Sequence, residues 1–144
     1  MTLAIFALSA IDIGTARAAD TPTVKASAAP CASMRQLGST SYLHADGQIA
    51  ASVKQFYGCG GNYGYIWVWE SFRDSHHYYW TSLEVGLYAR GRSAPYGYLK
   101  MSPAYSVEEY TPFAGTAQLC THARATMLNT SPPWLGSATT EIVC

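Results

Sequence analysis

Between Tyr78 and Ala89 the residues YYWTSLEVGLYA alternate with a period of two, and that alternation narrows the fold of the whole chain. Tyr79, Thr81, Leu83, Val85 and Leu87 fall on one side of an extended backbone. Trp80, Ser82, Glu84, Gly86 and Tyr88 fall on the other. Helical spacing does not separate apolar from polar here, because it mixes Leu83 and Leu87 with Glu84 and Tyr88. The stretch therefore reads as a strand with a core face. Just upstream, Tyr65–Phe72 (YIWVWESF) is aromatic and β-branched and lacks Gly and Pro, which suits a pleated, half-buried surface. The polar run Arg73-Asp74-Ser75-His76-His77 reads as the connecting loop, so the expectation is a β-hairpin over Tyr63–Arg90.

The first arm of that hairpin admits two facings. Tyr65, Trp67, Trp69 and Ser71 share one side; Ile66, Val68, Glu70 and Phe72 share the other. The expectation is that the indoles are buried packing, since aromatics carry much of a small domain's burial. The alternative puts Ile66 and Val68 inside and leaves Trp67 and Trp69 outside with Trp80 and Tyr88. A one-residue change of register exchanges the two.

The remaining punctuation continues the β pattern. Ser39–Leu43 reads as a short strand, Asp46-Gly47 as a turn, and Ile49–Tyr57 as a strand with Ile49, Ala51, Val53 and Tyr57 opposite Ser52 and Lys54. Gly58-Cys59-Gly60-Gly61-Asn62 reads as a tight turn, so that Ser39–Ala89 forms a meander. Tyr96–Met101, Ala117–Leu128 and Ala138–Val143 read as further strands, although the alanines of Ala117–Leu128 also permit a helix. Asn129–Leu135 is a loop. About seven short strands predict an all-β fold, a small antiparallel β-sandwich or barrel.

Cys31, Cys59, Cys120 and Cys144 suit a disulfide framework. Of three connectivities, Cys31–Cys59 and Cys120–Cys144 are favoured, because each joins an end segment to a neighbouring strand. A zinc site is the alternative, but no Cys-x-x-Cys is present. The start of the chain is consistent with export. Leu3–Ala10 is a short apolar run and Ala16-Arg17-Ala18 fits a small-x-small cleavage site, which predicts a signal peptide at 1–18. Two features depart from the pattern: no basic residue precedes the apolar run, and Asp12 interrupts its end. Residues 19–30 read as a flexible leader, and 31–144 as one β-domain. The expected location is secreted, with no membrane span in the mature chain.

Only 12% of residues are charged, in balance, so nothing favours nucleic acid as a partner. The chain resembles small secreted bacterial proteins of unknown function, which combine an export signal, a Tyr/Trp-rich strand and cysteines near both ends. Here the strand is Tyr63-Gly64-Tyr65-Ile66-Trp67-Val68-Trp69, and the resemblance covers Cys31–Ala89. It carries no active-site residues over to this chain.

Four groups of residues bear on function. Glu70 and Glu84, if opposed across the hairpin, form a carboxylate pair of the glycosidase kind. Asp74, His76 and His77 place an Asp–His set in the loop, although adjacent histidines on extended backbone point opposite ways. Asn129-Thr130-Ser131 matches a glycosylation acceptor. Trp67, Trp69, Trp80 and Tyr88 form an aromatic set that, if exposed, stacks on sugar rings or anchors a protein. Tyr96, Tyr98, Tyr105 and Tyr110 are expected at the surface. The leading expectation is a non-catalytic exported domain, without cofactor or metal, binding an extracellular glycan or protein through Trp67, Trp69, Trp80, Tyr88, His76 and His77. The rival readings are a hydrolase using Glu70/Glu84 or Asp74–His76, and an inhibitor or effector acting through the loops Arg73–His77 and Arg90–Pro112.

Overall fold

A computed structural model describes residues 28–77, 79–89, 92–100, 106–128 and 136–144, with backbone alone at 86–89, 92–96 and 98–100. The export signal at 1–18, most of the leader at 19–30, Tyr78, Tyr105 and Asn129-Thr130-Ser131 lie outside the described residues, as do the side chains of Tyr88, Tyr96 and Tyr98.

Two type I′-like turns start the fold. Strand β1 (Met34–Ala45) turns into β2 (Gln48–Gly58) at Asp46-Gly47, and β2 turns into β3 (Gly61–Val68) at Cys59-Gly60. All four turn residues have positive φ (48° and 76°, then 50° and 81°), the backbone that two-residue hairpin loops need. After Val68 the chain leaves the sheet. Trp69 N–H still bonds Ala50 O at 2.9 Å, and its own carbonyl accepts the amides of Phe72 and Arg73 at the start of a short helix, α1 (Glu70–Ser75). Strands β4 (Trp80–Ala89), β5 (Arg92–Lys100), β6 (Glu108–Tyr110), β7 (Thr121–Leu128) and β8 (Gly136–Thr139) follow. Among the described residues these form two four-stranded antiparallel sheets, β1-β2-β3-β6 and β5-β4-β7-β8, packed as a sandwich.

The expected hairpin over Tyr63–Arg90, and with it the meander over Ser39–Ala89, is not what forms. β3 pairs with β2 and β6, whereas β4 pairs with β5 and β7. The two arms lie in different sheets. Glu70, Ser71 and Phe72 belong to α1 rather than to the strand, and the connection carries its own anchor. Phe72 is fully buried, stacks on His76 at 4.0 Å and meets Tyr79 edge-on at 5.8 Å. Phe72 thus ties the connection to the core where the chain passes from one sheet to the other. The edge of β3 left free is taken by a segment over 40 residues downstream: Tyr65 pairs with Tyr110 and Trp67 with Glu108, and Asn62 bridges to Ala114.

The core follows the alternation. Leu43, Ala51, Val53, Ile66 and Val68 of one sheet meet Leu83, Ala123, Ala125, Met127 and Ala138 of the other, with Phe72 and Tyr79 at the end. Tyr79, Thr81, Leu83 and Val85 are buried, as the period-two pattern requires. Ala117–Leu128 provides a strand, which begins at Thr121. A polar cluster interrupts the apolar interior. Gln55 Nε2 donates to Thr121 Oγ1, and Asn62 Nδ2 donates to Thr121 Oγ1 and Thr116 Oγ1 at 3.2 and 2.9 Å.

Both expected disulfides form. Cys31–Cys59 ties the segment before β1 to the β2–β3 turn, and Cys120–Cys144 ties the approach to β7 to the segment after β8. Along one side the sheets are also bridged by hydrogen bonds. Ser41 Oγ donates to Thr139 O at 2.7 Å, and Ser39 N–H and Oγ–H donate to Glu141 Oε1 at 2.6 and 3.0 Å. These contacts cover the long edge of β1.

Candidate functional site

Ile66 and Val68 are fully buried between the sheets, so Tyr63, Tyr65 and Trp67 point the other way, onto the outer face of the first sheet. The buried-indole reading is thereby overturned. Trp67 is half-buried on that outer face, Trp69 is 42% exposed, and Trp80 is half-buried on the outward-facing side of β4. The physical reason is register. Ala51 faces Val68 and Val53 faces Ile66 across the β2–β3 ladder, so small and β-branched side chains fill the narrow interior and the indoles are left outside.

The same ladder sets out the outer face in rows. Tyr42, Ser52, Trp67 and Glu108 lie side by side across β1, β2, β3 and β6; Lys54, Tyr65 and Tyr110 form the next row. Direct cross-strand neighbours have Cβ atoms roughly 4.5–5.5 Å apart, so each row is continuous at van der Waals range. Trp69, just past the end of β3, folds its indole back onto this face and donates Nε1–H to Ser52 Oγ at 3.2 Å. Tyr42 (50% exposed), Trp67 and Trp69 thus surround Ser52, which is itself buried and forms a floor.

A second tier of rings props the platform. Tyr65 packs against Tyr110 at 4.7 Å and edge-on against Phe56 at 5.6 Å, and Tyr63 packs edge-on against Phe113 at 6.0 Å. Tyr65 O–H donates to Glu108 Oε2 at 2.7 Å. Burial first, and then the hydrogen bond and charge of Glu108, hold the Tyr65 phenol well above its ordinary range; burial and Glu108 push Tyr110 up in the same direction. Both phenols stay neutral donors at any physiological pH. The face can therefore present fixed planar rings, one carboxylate, one ammonium from Lys54, and a hydroxyl floor.

Of the aromatic set expected from the sequence, Trp67 and Trp69 share this site. Trp80 and the β4 position of Tyr88 belong to the opposite sheet, so the four do not form one platform. Tyr110, expected at the surface, is half-buried in the second tier. His76 is not a free loop residue. It lies flat on Phe72, and its Nε2–H donates to Asp46 Oδ2 in the β1–β2 turn at 2.8 Å, rather than pairing with Asp74; His77 is exposed. Glu70 opens α1, and Glu84 sits on β4 with Arg124 at 3.9 Å, so the cross-hairpin carboxylate pair is not formed.

Sequence reasoning missed Tyr42, Phe56 and Glu108 as parts of one face. Part of the signal for β2 is present in its alternation, which sets Ser52 and Lys54 on the face opposite Ala51 and Val53. No local pattern tells that Glu108–Tyr110 docks beside β3. No family model, curated protein or solved structure matches the chain. Among the described residues, no helix is long and apolar enough to cross a membrane.

Proposed function

We propose that this protein is an exported, non-catalytic β-sandwich that binds an uncharged extracellular polysaccharide on the outer face of its β1-β2-β3-β6 sheet. The observation that carries the reading is the trio Tyr42, Trp67 and Trp69 gathered around Ser52. Pyranose rings carry faces of C–H groups that pack on aromatic planes, and their hydroxyls seek acceptors and donors at the rim. Glu108, beside Trp67, and Lys54, one row along, supply such a rim. Export is supported by the two disulfides, which persist in oxidising compartments, and by the apolar Leu3–Ala10 run ahead of Ala16-Arg17-Ala18. Binding rather than hydrolysis is supported by Glu84, whose carboxylate is engaged by Arg124 on the neighbouring strand.

The test is tryptophan fluorescence with acrylamide quenching, in the presence and absence of soluble glycans. The expected result is quenchable emission that a glycan protects, lost in Trp69→Ala and kept in Trp80→Ala. Protection that survives Trp67→Ala and Trp69→Ala but vanishes in Trp80→Ala would move the site to the other sheet. No protection by any glycan would leave the protein-binding reading in its place.

A further inference from the structure

Beside Trp69 the surface dips into a groove of about 300 Å³ lined by Gln48, Ile49, Trp69 and Ser71. That is the low end of the size range of small-molecule sites, roughly 300–1,000 Å³. Trp69 belongs to both features. Its indole N–H is fixed on Ser52 in the platform, and its ring also walls the groove. The groove is therefore continuous with the aromatic face.

Its lining has a specific chemistry. Ile49 and Trp69 are apolar and 41% and 42% exposed; Gln48 and Ser71 are neutral and polar. Among the described residues, no charged side chain lines it. A sugar bearing only hydroxyls offers Ile49 ring C–H groups but no methyl group, and offers Gln48 and Ser71 only hydroxyl partners. An acetamido substituent has a methyl group for the Ile49–Trp69 walls, an N–H for the Gln48 or Ser71 oxygen, and a carbonyl for the Gln48 amide N–H. We infer that this groove is an acetamido subsite, so that the glycan taken by the platform is one built from N-acetylated amino sugars. This inference rests on the platform reading above and refines it.

The experiment compares two oligosaccharides on the full chain, a β-1,4-linked N-acetylglucosamine tetramer and the β-1,4-linked glucose tetramer, which has hydroxyls where the other has acetamido groups. The wild-type protein is expected to bind the N-acetylated oligomer roughly tenfold more tightly, the discrimination a pocket achieves for about one methyl-sized group. Ile49→Ala and Gln48→Ala should bring the two affinities together while leaving that for the glucose oligomer unchanged. Trp67→Ala should weaken both. Ile49 is exposed and Gln48 half-buried, so both variants keep the core, which circular dichroism checks. Equal binding of the two oligomers by the wild type overturns the acetamido subsite and leaves the platform standing. A preference that persists in both groove variants places the discrimination elsewhere and also overturns it. No binding of either oligomer also overturns the acetamido subsite, while the platform reading stands or falls with the glycan quenching experiment above.

Discussion

The indole N–H of Trp69 donates to the hydroxyl of Ser52 at 3.2 Å, joining residues seventeen apart in sequence and tying the approach to α1 to the outer row of β2. Ser52→Ala removes that acceptor. Because Trp69 is 42% exposed, water can take the N–H, and stability should fall by less than about 1 kcal/mol. The indole, no longer held, should show lower fluorescence anisotropy and stronger acrylamide quenching, and glycan affinity should weaken several-fold. Unchanged anisotropy would mean that packing alone holds the ring.

Phe72 is the anchor of the connection between the sheets. It is fully buried between His76 and Tyr79. Phe72→Ala should cost about 3–5 kcal/mol, the usual range for a large aromatic removed from a core. Urea unfolding would show this as a lower midpoint. Loss of under 1 kcal/mol would show that α1 can detach without disturbing the sandwich.

Thr121 and Gln55 make an asymmetric pair. Thr121 Oγ1 accepts from both Gln55 and Asn62, whereas Gln55 Oε1 has no hydrogen-bond partner among the described residues. Thr121→Val strips an acceptor from two buried amides and should destabilise by about 1–3 kcal/mol. Gln55→Met removes a buried amide whose oxygen is already unpaired, leaves Thr121 bonded to Asn62, and should stay within about 1 kcal/mol of the wild type. The reverse order in chemical denaturation would show that Gln55 is the more important member.

His122 gives the fold an acid sensitivity. Burial holds its pKa below the ordinary 6.5, with Glu84 acting upward and Arg124 downward. The unfolded chain then takes up a proton as pH falls through 6.5, while the folded chain resists it. The unfolded state binds more protons in that window, so stability declines on acidification below about 6.5. Melting temperatures measured from pH 7.5 down to 5 should fall more steeply for the wild type than for His122→Gln. Parallel curves would assign the acid response to the carboxylates instead.

Much of the local structure was legible. The strand character of Trp80–Ala89 followed from alternation, and Tyr79, Thr81, Leu83 and Val85 are inside as it requires. Asp46-Gly47 announced its turn because few residues tolerate positive φ in succession. The cysteine pairing followed from position along the chain. The Tyr63–Arg90 segment misled for an equally physical reason. An apolar run, a polar run and a second apolar run describe a hairpin and a sheet-to-sheet crossover alike, since both need two half-buried strands and a solvated exit.

What the sequence by itself determined is the repertoire: extended backbone, tight turns, two covalent ties and a surplus of aromatic rings for a narrow interior. Which rings lie outside was decided by tertiary structure. Ile66 and Val68 turn inward because Val53 and Ala51 pair with them from one side, and Glu108–Tyr110 arrives from far along the chain on the other. With a side-chain period of two, either facing of β3 satisfies the local pattern equally well. Only the neighbours that pair with it, and the sheet packed beneath it, make burial of one face more favourable than the other.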